Sequence, residues 1–98
     1  MLIAMTLAAT ALREDKLERL ARARHLAASG EARRVRLHTQ TSLSEIAEAC
    51  SVDTATVWRW ETGTRRPRGD AALRYGSVIE LLARTIPADA SLVGESAA

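Results

Sequence analysis

The chain of 98 residues has room for one domain with a modest hydrophobic core. Its formal net charge of +2 is only mildly basic, so net charge alone does not indicate a nucleic-acid partner. A single cysteine excludes an intramolecular disulfide and is typical of the reducing cytoplasm, where we expect the protein to act.

Residues 1–12 are apolar apart from Thr6 and Thr10, and no basic residue precedes them. This run is too short to span a bilayer and lacks the basic start of a signal peptide, so we expect no membrane contact and no secretion. We interpret it either as an N-terminal arm or as an extension of the first helix, and as a candidate contact with a second copy or a protein partner. The first helix is predicted over residues 10–28, with an inward stripe formed by Leu12, Leu17, Leu20, Ala23, Leu26 and Ala27.

A second helix is predicted over residues 31–39, because Ser29-Gly30 is a helix stop. Its apolar residues, Val35 and Leu37, are expected in the core. Three arginines are expected to point outward: Arg33, Arg34 and Arg36.

Two short helices are predicted next, over residues 43–50 and 54–61. Ser42 and Glu45 are in a capping-box relation at the start of the first, and Asp53 suits the N-cap of the second. The inward residues at helical spacing are Ile46, Ala47 and Cys50 on the first helix and Val57 and Trp60 on the second, with Val52 as an apolar plug between them.

A last helix is predicted from an Asp70 cap to about Arg84, after the break at Pro67-Arg68-Gly69. Its apolar residues close over the bundle: Leu73, Val78, Ile79, Leu81 and Leu82. Pro87 and the mostly small and polar residues that follow it to Ala98 are expected to be disordered.

Residues 43–67 resemble the helix-turn-helix of Cro and phage-repressor-like proteins, the XRE family. The ending Trp60-Glu61-Thr62-Gly63-Thr64-Arg65-Arg66-Pro67 is similar to that family's frequent Trp-Glu-x-Gly-x-Arg-x-Pro. Ser51 departs from the glycine usual at the turn, where positive φ costs a non-glycine residue about 1 kcal/mol. With flanking helices the resemblance covers roughly residues 28–84.

The resemblance implies an all-α fold: a compact bundle of about five helices containing the helix-turn-helix, with an extra N-terminal helix and a disordered C-terminal tail. We divide the chain into an arm and helix over 1–28, a DNA-binding domain over 29–85 and a tail over 86–98. The second helix of the motif, residues 54–61, is expected in the major groove of double-stranded DNA.

Carried over position by position, the resemblance implies that Thr54, Ala55 and Arg59 contact base edges. An arginine can donate two parallel hydrogen bonds to guanine, worth about 1–3 kcal/mol of discrimination. The alternative for Arg59 is an exposed arginine paired with a neighbouring acid. Trp58 is expected either to contact DNA, at the sugar-phosphate or a thymine methyl, or to pack on the helix after Asp70.

The segment from Arg59 to Arg74 holds five arginines against two acids, a local excess that favours phosphate binding. The resemblance places the loop that follows the recognition helix on the DNA backbone. For Ser42 and Ser44, ordinary helix capping is the alternative. The predicted phosphate contacts are Ser42, Ser44, Thr56, Thr62, Arg65, Arg66 and Arg68.

Catalysis finds no support in the sequence. His25 and His38 have no cysteine or acidic partner at metal-ligand spacing. Cys50 occupies an apolar helix position, and no glycine-rich phosphate loop is present. We therefore expect no enzyme activity, no metal and no cofactor.

The leading hypothesis is a sequence-specific transcriptional regulator, a repressor associated with the nucleoid, that binds a palindromic operator as a homodimer. A second hypothesis is an antitoxin-like or accessory protein-interaction module that uses residues 1–28. A third is a DNA-architecture or replication factor of a mobile element, which would present the same surface.

Overall fold

The computed structural model describes residues 2–89, although the side chains of residues 2 and 3 are not described. Within this range the regular structure is entirely helical, which confirms the predicted fold class. The five helices are α1 (Leu2–Ala28), α2 (Glu31–His38), α3 (Leu43–Cys50), α4 (Thr54–Thr62) and α5 (Gly69–Ala83). None of these helices is long and apolar enough to cross a membrane. Most of the tail predicted to be disordered, residues 90–98, lies outside the described range.

Helix α1 begins at Leu2 and not at residue 10, so the interpretation of the N-terminal run as a helix extension is confirmed. Residues 2–9 are mostly alanine, leucine and methionine, which are strong helix formers, and no proline or glycine interrupts them. The inward positions predicted for Leu12 and Leu17 are wrong, because these side chains are 66% and 64% exposed.

The C-terminal half of α1 packs into the bundle through Ala23, Leu26 and Ala27, all of which are buried. It crosses α5 where a Cβ added to Gly76 would lie only 3.1 Å from the Cβ of Ala23. Small residues on both helices therefore allow the two backbones to approach closely.

Helix α2 corrects two predictions. Leu37, expected in the core, is 50% exposed, whereas Arg36, expected in solvent, is buried. Ala32 and Val35, three residues apart, form the buried face of α2. Arg36 lies one turn after Ala32 and therefore on the same face.

The α3–α4 unit forms as predicted. Ser42 and Glu45 make a complete capping box, and the Asp53 carboxylate accepts the backbone N–H of Thr56. Ser51 takes the left-handed conformation at φ 59°, so it adopts the conformation that the turn requires despite its side chain. The turn places Ile46 and Val57 in one core, where both are fully buried.

Helix α5 closes the bundle with Tyr75, whose ring lies 4.8 Å from that of Trp60 at an interplanar angle of 55°. Its N-cap is Arg68 and not Asp70, and no side chain caps it. Ile79 is buried as predicted, but Leu81 is 55% exposed. The guanidinium of Arg74 donates a hydrogen bond from Nε to the Cys50 carbonyl at 2.9 Å, which ties α5 to the end of α3.

Candidate nucleic-acid interface

Helix α4 presents two different faces. Val57 and Trp60 point into the core, with exposed fractions of 0% and 4%. The residues predicted to contact bases lie on the remaining, exposed surface: Thr54, Ala55, Trp58 and Arg59. The helical repeat of 3.6 residues therefore gathers all four of them on the outside of one short helix.

Trp58 is the largest side chain on this exposed face. It is 52% exposed, in contrast to its buried neighbour Trp60. An indole left in water exposes a large apolar area with a single N–H donor. About half of the Trp58 side chain is therefore available to a ligand that docks on α4.

A basic groove runs beside this face. It encloses about 370 Å³, and its lining contains four arginines and no acidic side chain. Thr56, Val52 and Trp60 form part of its wall. The basic groove is defined by its arginines: Arg59, Arg65, Arg66 and Arg68. Such a concentration of cations in one concave surface suits a phosphate, because guanidinium groups form charge-assisted hydrogen bonds with its oxygens.

The loop that carries three of these arginines is held in place by the fold. Gly63 ends α4 in the left-handed conformation at φ 78°, and the backbone N–H of Arg65 donates to the Arg59 carbonyl at 3.2 Å. Pro67 is fully buried. Arg24 of α1 donates from Nε to the Pro67 carbonyl at 3.0 Å. The arginine side chains thus project from an anchored backbone.

Glu61, at the end of α4, forms a buried ion pair with Arg36 of α2. Nε and Nη2 of Arg36 donate to the two carboxylate oxygens at 2.6 and 2.9 Å. The hydrogen bond to Glu61 raises the pKa of Arg36 above its ordinary value, although burial opposes this. Glu61, which follows Trp60 of the groove wall, is therefore neutralised by an internal ion pair. Asp70, which precedes Ala71 of the same wall, is exposed.

Sequence reasoning missed this pair and the role of Arg24. The Trp-Glu dipeptide at residues 60–61 was the available signal for Glu61. Its partner was hidden because Arg36 stands beside two exposed arginines and lies 25 residues away along the chain.

The predicted phosphate contacts at the start of α3 are exposed, as the side chains of Ser42 and Ser44 both reach the surface. Ser42 Oγ accepts the backbone N–H of Glu45 at 3.0 Å, so its capping role is realised. The Ser42 hydroxyl also bonds to the Glu45 carboxylate, so it must exchange that bond for a bond to phosphate. Hydrogen bonds from Ser42 lower the pKa of Glu45.

Two predicted phosphate contacts already donate their hydroxyl hydrogens within α4. The Thr56 hydroxyl donates to the Asp53 carboxylate, and the Thr62 hydroxyl donates to the Trp58 carbonyl at 2.9 Å. Either threonine must exchange its internal bond for a bond to phosphate. Among the described residues, Arg65, Arg66 and Arg68 have no such conflict and are the stronger candidates, whereas the charge of Arg59 contributes to lowering the pKa of Asp53.

Nothing in residues 2–89 assembles a metal centre, since no group of three histidine, cysteine, aspartate or glutamate side chains is placed to hold an ion. Cys50 is buried, and burial raises the pKa of its thiol. A buried, protonated thiol is a poor nucleophile.

No family model, curated protein or solved structure matches the chain. The resemblance to the XRE family therefore stays a prediction that rests on the residues of the motif.

Proposed function

We propose that this protein is a sequence-specific regulator of transcription, a repressor in the cytoplasm that binds double-stranded DNA as a homodimer. The observation that carries the proposal is the juxtaposition of the exposed face of α4 with the basic groove. A helix that enters the major groove needs cations beside it at the level of the phosphates, and α4 has them.

Base reading would fall to the exposed side chains of α4. Arg59 is the principal reader, since its guanidinium matches the O6 and N7 acceptors of guanine. Thr54 and Ala55 are short, so they suit a thymine methyl or one hydroxyl bond. Trp58 adds apolar contact at the edge of the same face.

Positioning on the DNA backbone would fall to Arg65, Arg66 and Arg68. Their loop is anchored through Pro67 and Arg24, so little backbone entropy is lost when a phosphate binds. The internal pairing of Glu61 supports the same assignment, because it removes a negative charge from the end of the recognition helix.

The test begins with selection of bound duplexes from a randomised pool, followed by fluorescence anisotropy with the selected duplex and a scrambled one. We expect preferential binding of the selected duplex. Arg59→Ala should remove about 1–3 kcal/mol of that preference at one base pair. Arg84→Ala removes the same charge from the end of α5, outside the basic groove, and should leave the preference unchanged.

Two outcomes would contradict the proposal. Equal binding of both duplexes by the wild type would indicate an architectural role on DNA. Absence of binding to either duplex would favour the second candidate, a protein-interaction module. That candidate has its own supporting observation in the exposed apolar side chains of Met5 and Leu7 on α1.

A further inference from the structure

The N-terminal part of α1 extends beyond the bundle and is not covered by the other residues that the structure describes. Residues 4–17, here called the arm, are exposed, with Ala9 alone half-buried. The large apolar side chains Met5, Leu7 and Leu12 have exposed fractions of 69%, 64% and 66%. No charged residue occurs between residues 2 and 12. Exposed apolar surface of this kind marks an interaction site.

Met5, Ala9 and Leu12 share one side of the arm, since they are four and three residues apart. Met5 precedes the buried Ala23 by about five turns of 3.6 residues, so both point in the same direction. The stripe on the arm is thus the continuation of the face that packs against α5. Beyond α5 this face has nothing to pack on within the described residues.

An apolar hollow lies at the base of the arm. It encloses about 200 Å³ between α1 and α5, and three of its six lining residues are leucines. Lys16 and Asp70, of opposite charge, also line it. The leucines are Leu17, Leu20 and Leu73.

Met5, at the far end of the apolar stripe of the arm (Met5, Ala9 and Leu12), and the hollow lie at similar distances on either side of Leu12. Met5 lies seven residues before Leu12, or about 10.5 Å along the helix, and Leu20 lies eight residues after it, or about 12 Å. A two-fold axis at Leu12 therefore brings Met5 of one copy to the hollow of the other. A methionine side chain is flexible enough to fill an irregular apolar space of this size.

We propose that the arm binds the arm of a second copy of this chain in antiparallel orientation, with Leu12 at the two-fold axis and Met5 in the partner's hollow. The spacing favours this occupant, because a second copy supplies both the apolar stripe and the hollow that receives it. With the axis at Leu12, the uncharged residues 5–11 of one arm face the mostly charged residues 13–19 of the other, so no like charges are opposed.

The size of the contact sets its strength. Fourteen residues rise about 21 Å, and a strip of that length on one side of a helix is smaller than the roughly 800 Å² per partner of a standard interface. The hollow adds apolar contact at each end. The dimer is therefore a reversible one, populated at micromolar concentration and dissociated by dilution.

This inference names the surface of the proposed homodimer and depends on that part of the proposed function alone. It is tested without DNA, by sedimentation velocity of the full chain from about 1 to 500 μM. The wild type should change from monomer to dimer over this range. Leu12→Glu, which places two carboxylates at the axis, should remain monomeric. Leu81→Glu changes an equally exposed leucine on α5 and should dimerise like the wild type.

Cross-linking gives a second readout that does not depend on affinity. Leu12→Cys should form an intermolecular disulfide under mild oxidation, because the axis brings its two copies together. Leu7→Cys, on the opposite side of the arm, should not. Cys50 is buried and does not compete.

A wild type that stays monomeric at 500 μM overturns the proposal, as does dimerisation of Leu12→Glu or equal cross-linking at position 7. A monomer that still reads DNA would refute arm pairing and leave the DNA-binding proposal standing. A dimer that binds no DNA would do the reverse.

Discussion

Arg36 and Glu61 join α2 to α4 through charges that are almost wholly removed from water. Their side chains are 10% and 3% exposed, and the two bonds between them form the parallel geometry that suits a guanidinium and a carboxylate. Removal of one partner leaves the other charge buried without compensation. The position of the C-terminal end of α4 therefore depends on a pair of buried residues.

Arg36→Ala should lower the free energy of unfolding by about 3–5 kcal/mol, because the Glu61 carboxylate then lacks its partner. The measurement is urea unfolding followed by circular dichroism. Arg33→Ala is the matched control. The Arg33 side chain is 60% exposed, and its Nε lies 3.9 Å from Glu61 Oε1. Its effect should stay within about 0.5 kcal/mol. Similar losses for both variants would show that the buried pair contributes no more than a surface pair.

The N-caps of α3 and α4 make stability depend on pH. Bonds from Thr56 lower the pKa of Asp53 below its ordinary value of 3.8, and bonds from Ser42 lower the pKa of Glu45 below 4.5. Both carboxylates therefore stabilise the fold above their ordinary pKa values. This contribution disappears as the pH falls through the lowered values.

Unfolding of the wild type and of Asp53→Asn should accordingly be compared from about pH 2 to pH 7. Asparagine keeps a side-chain oxygen for the cap but does not titrate in this range. We expect a smaller loss of stability on acidification below about pH 4 in the variant. Parallel pH profiles would mean that Asp53 is not responsible for the acid sensitivity.

At the scale of helices, the capping residues made most of the bundle predictable. Helices α2, α3 and α4 lie within one residue of their predicted bounds, because Gly30, Ser42, Asp53 and Gly63 mark their ends. The sequence left the start of α1 undecided, since the residues before position 10 contain no glycine or proline and the capping residue type Thr6 lies inside the helix. At α5 an acid next to the true start, Asp70, suggested the wrong cap.

The candidate site was predictable to a similar degree. The helical repeat identified the exposed face of α4, and the run of arginines after it identified the loop. The burial of Arg36 was not predictable, because only the three-dimensional contact with Glu61 distinguishes it from the neighbouring arginines. The exposure of Leu12 was not predictable either. An apolar stripe on a helix does not show at which residue the helix leaves the bundle.

The crossing of α1 and α5 provides a prediction at this scale. Gly76→Ala adds a methyl group 3.1 Å from the Cβ of Ala23, with the Ala23 backbone directly behind it. The energetic cost of overpacking should exceed the stabilisation from the higher helix propensity of alanine. The free energy of unfolding should therefore fall by about 1 kcal/mol. Chemical denaturation of the variant measures the loss.

The variant Ala23→Gly alone should also destabilise, by about 1 kcal/mol, through lower helix propensity. The double variant Ala23→Gly/Gly76→Ala moves the methyl group from α1 to α5. Its loss in free energy of unfolding should be smaller than the sum of the losses of the two single variants. Strict additivity would indicate that the two residues do not limit the approach of the helices.

For the whole molecule, function depends on where the charge lies and not on its total. A formal charge of +2 is small, yet four arginines surround one groove without an acid among its lining residues. Two of the acids near this region are used elsewhere, Glu61 in an ion pair and Asp53 in a cap, whereas Asp70 is exposed beside the groove. A mildly basic protein can thus present a strongly basic surface at one place.

Arg65→Ala tests this distribution. The variant should weaken binding to all duplexes by a similar factor and lower the slope of log K against log salt by about one unit, because one fewer counterion is released. The measurement is anisotropy at several salt concentrations with the selected and scrambled duplexes. An unchanged slope would remove Arg65 from the phosphate contacts.

The two indoles of α4 have a practical consequence, because they lie on opposite sides of one short helix. Trp60 is 4% exposed against the ring of Tyr75, whereas Trp58 is 52% exposed. Acrylamide should quench the emission of Trp58 and spare that of Trp60 until the chain unfolds. The protein therefore carries two intrinsic fluorophores that separate events on its outer surface from loss of its core, and no label is needed to follow either one.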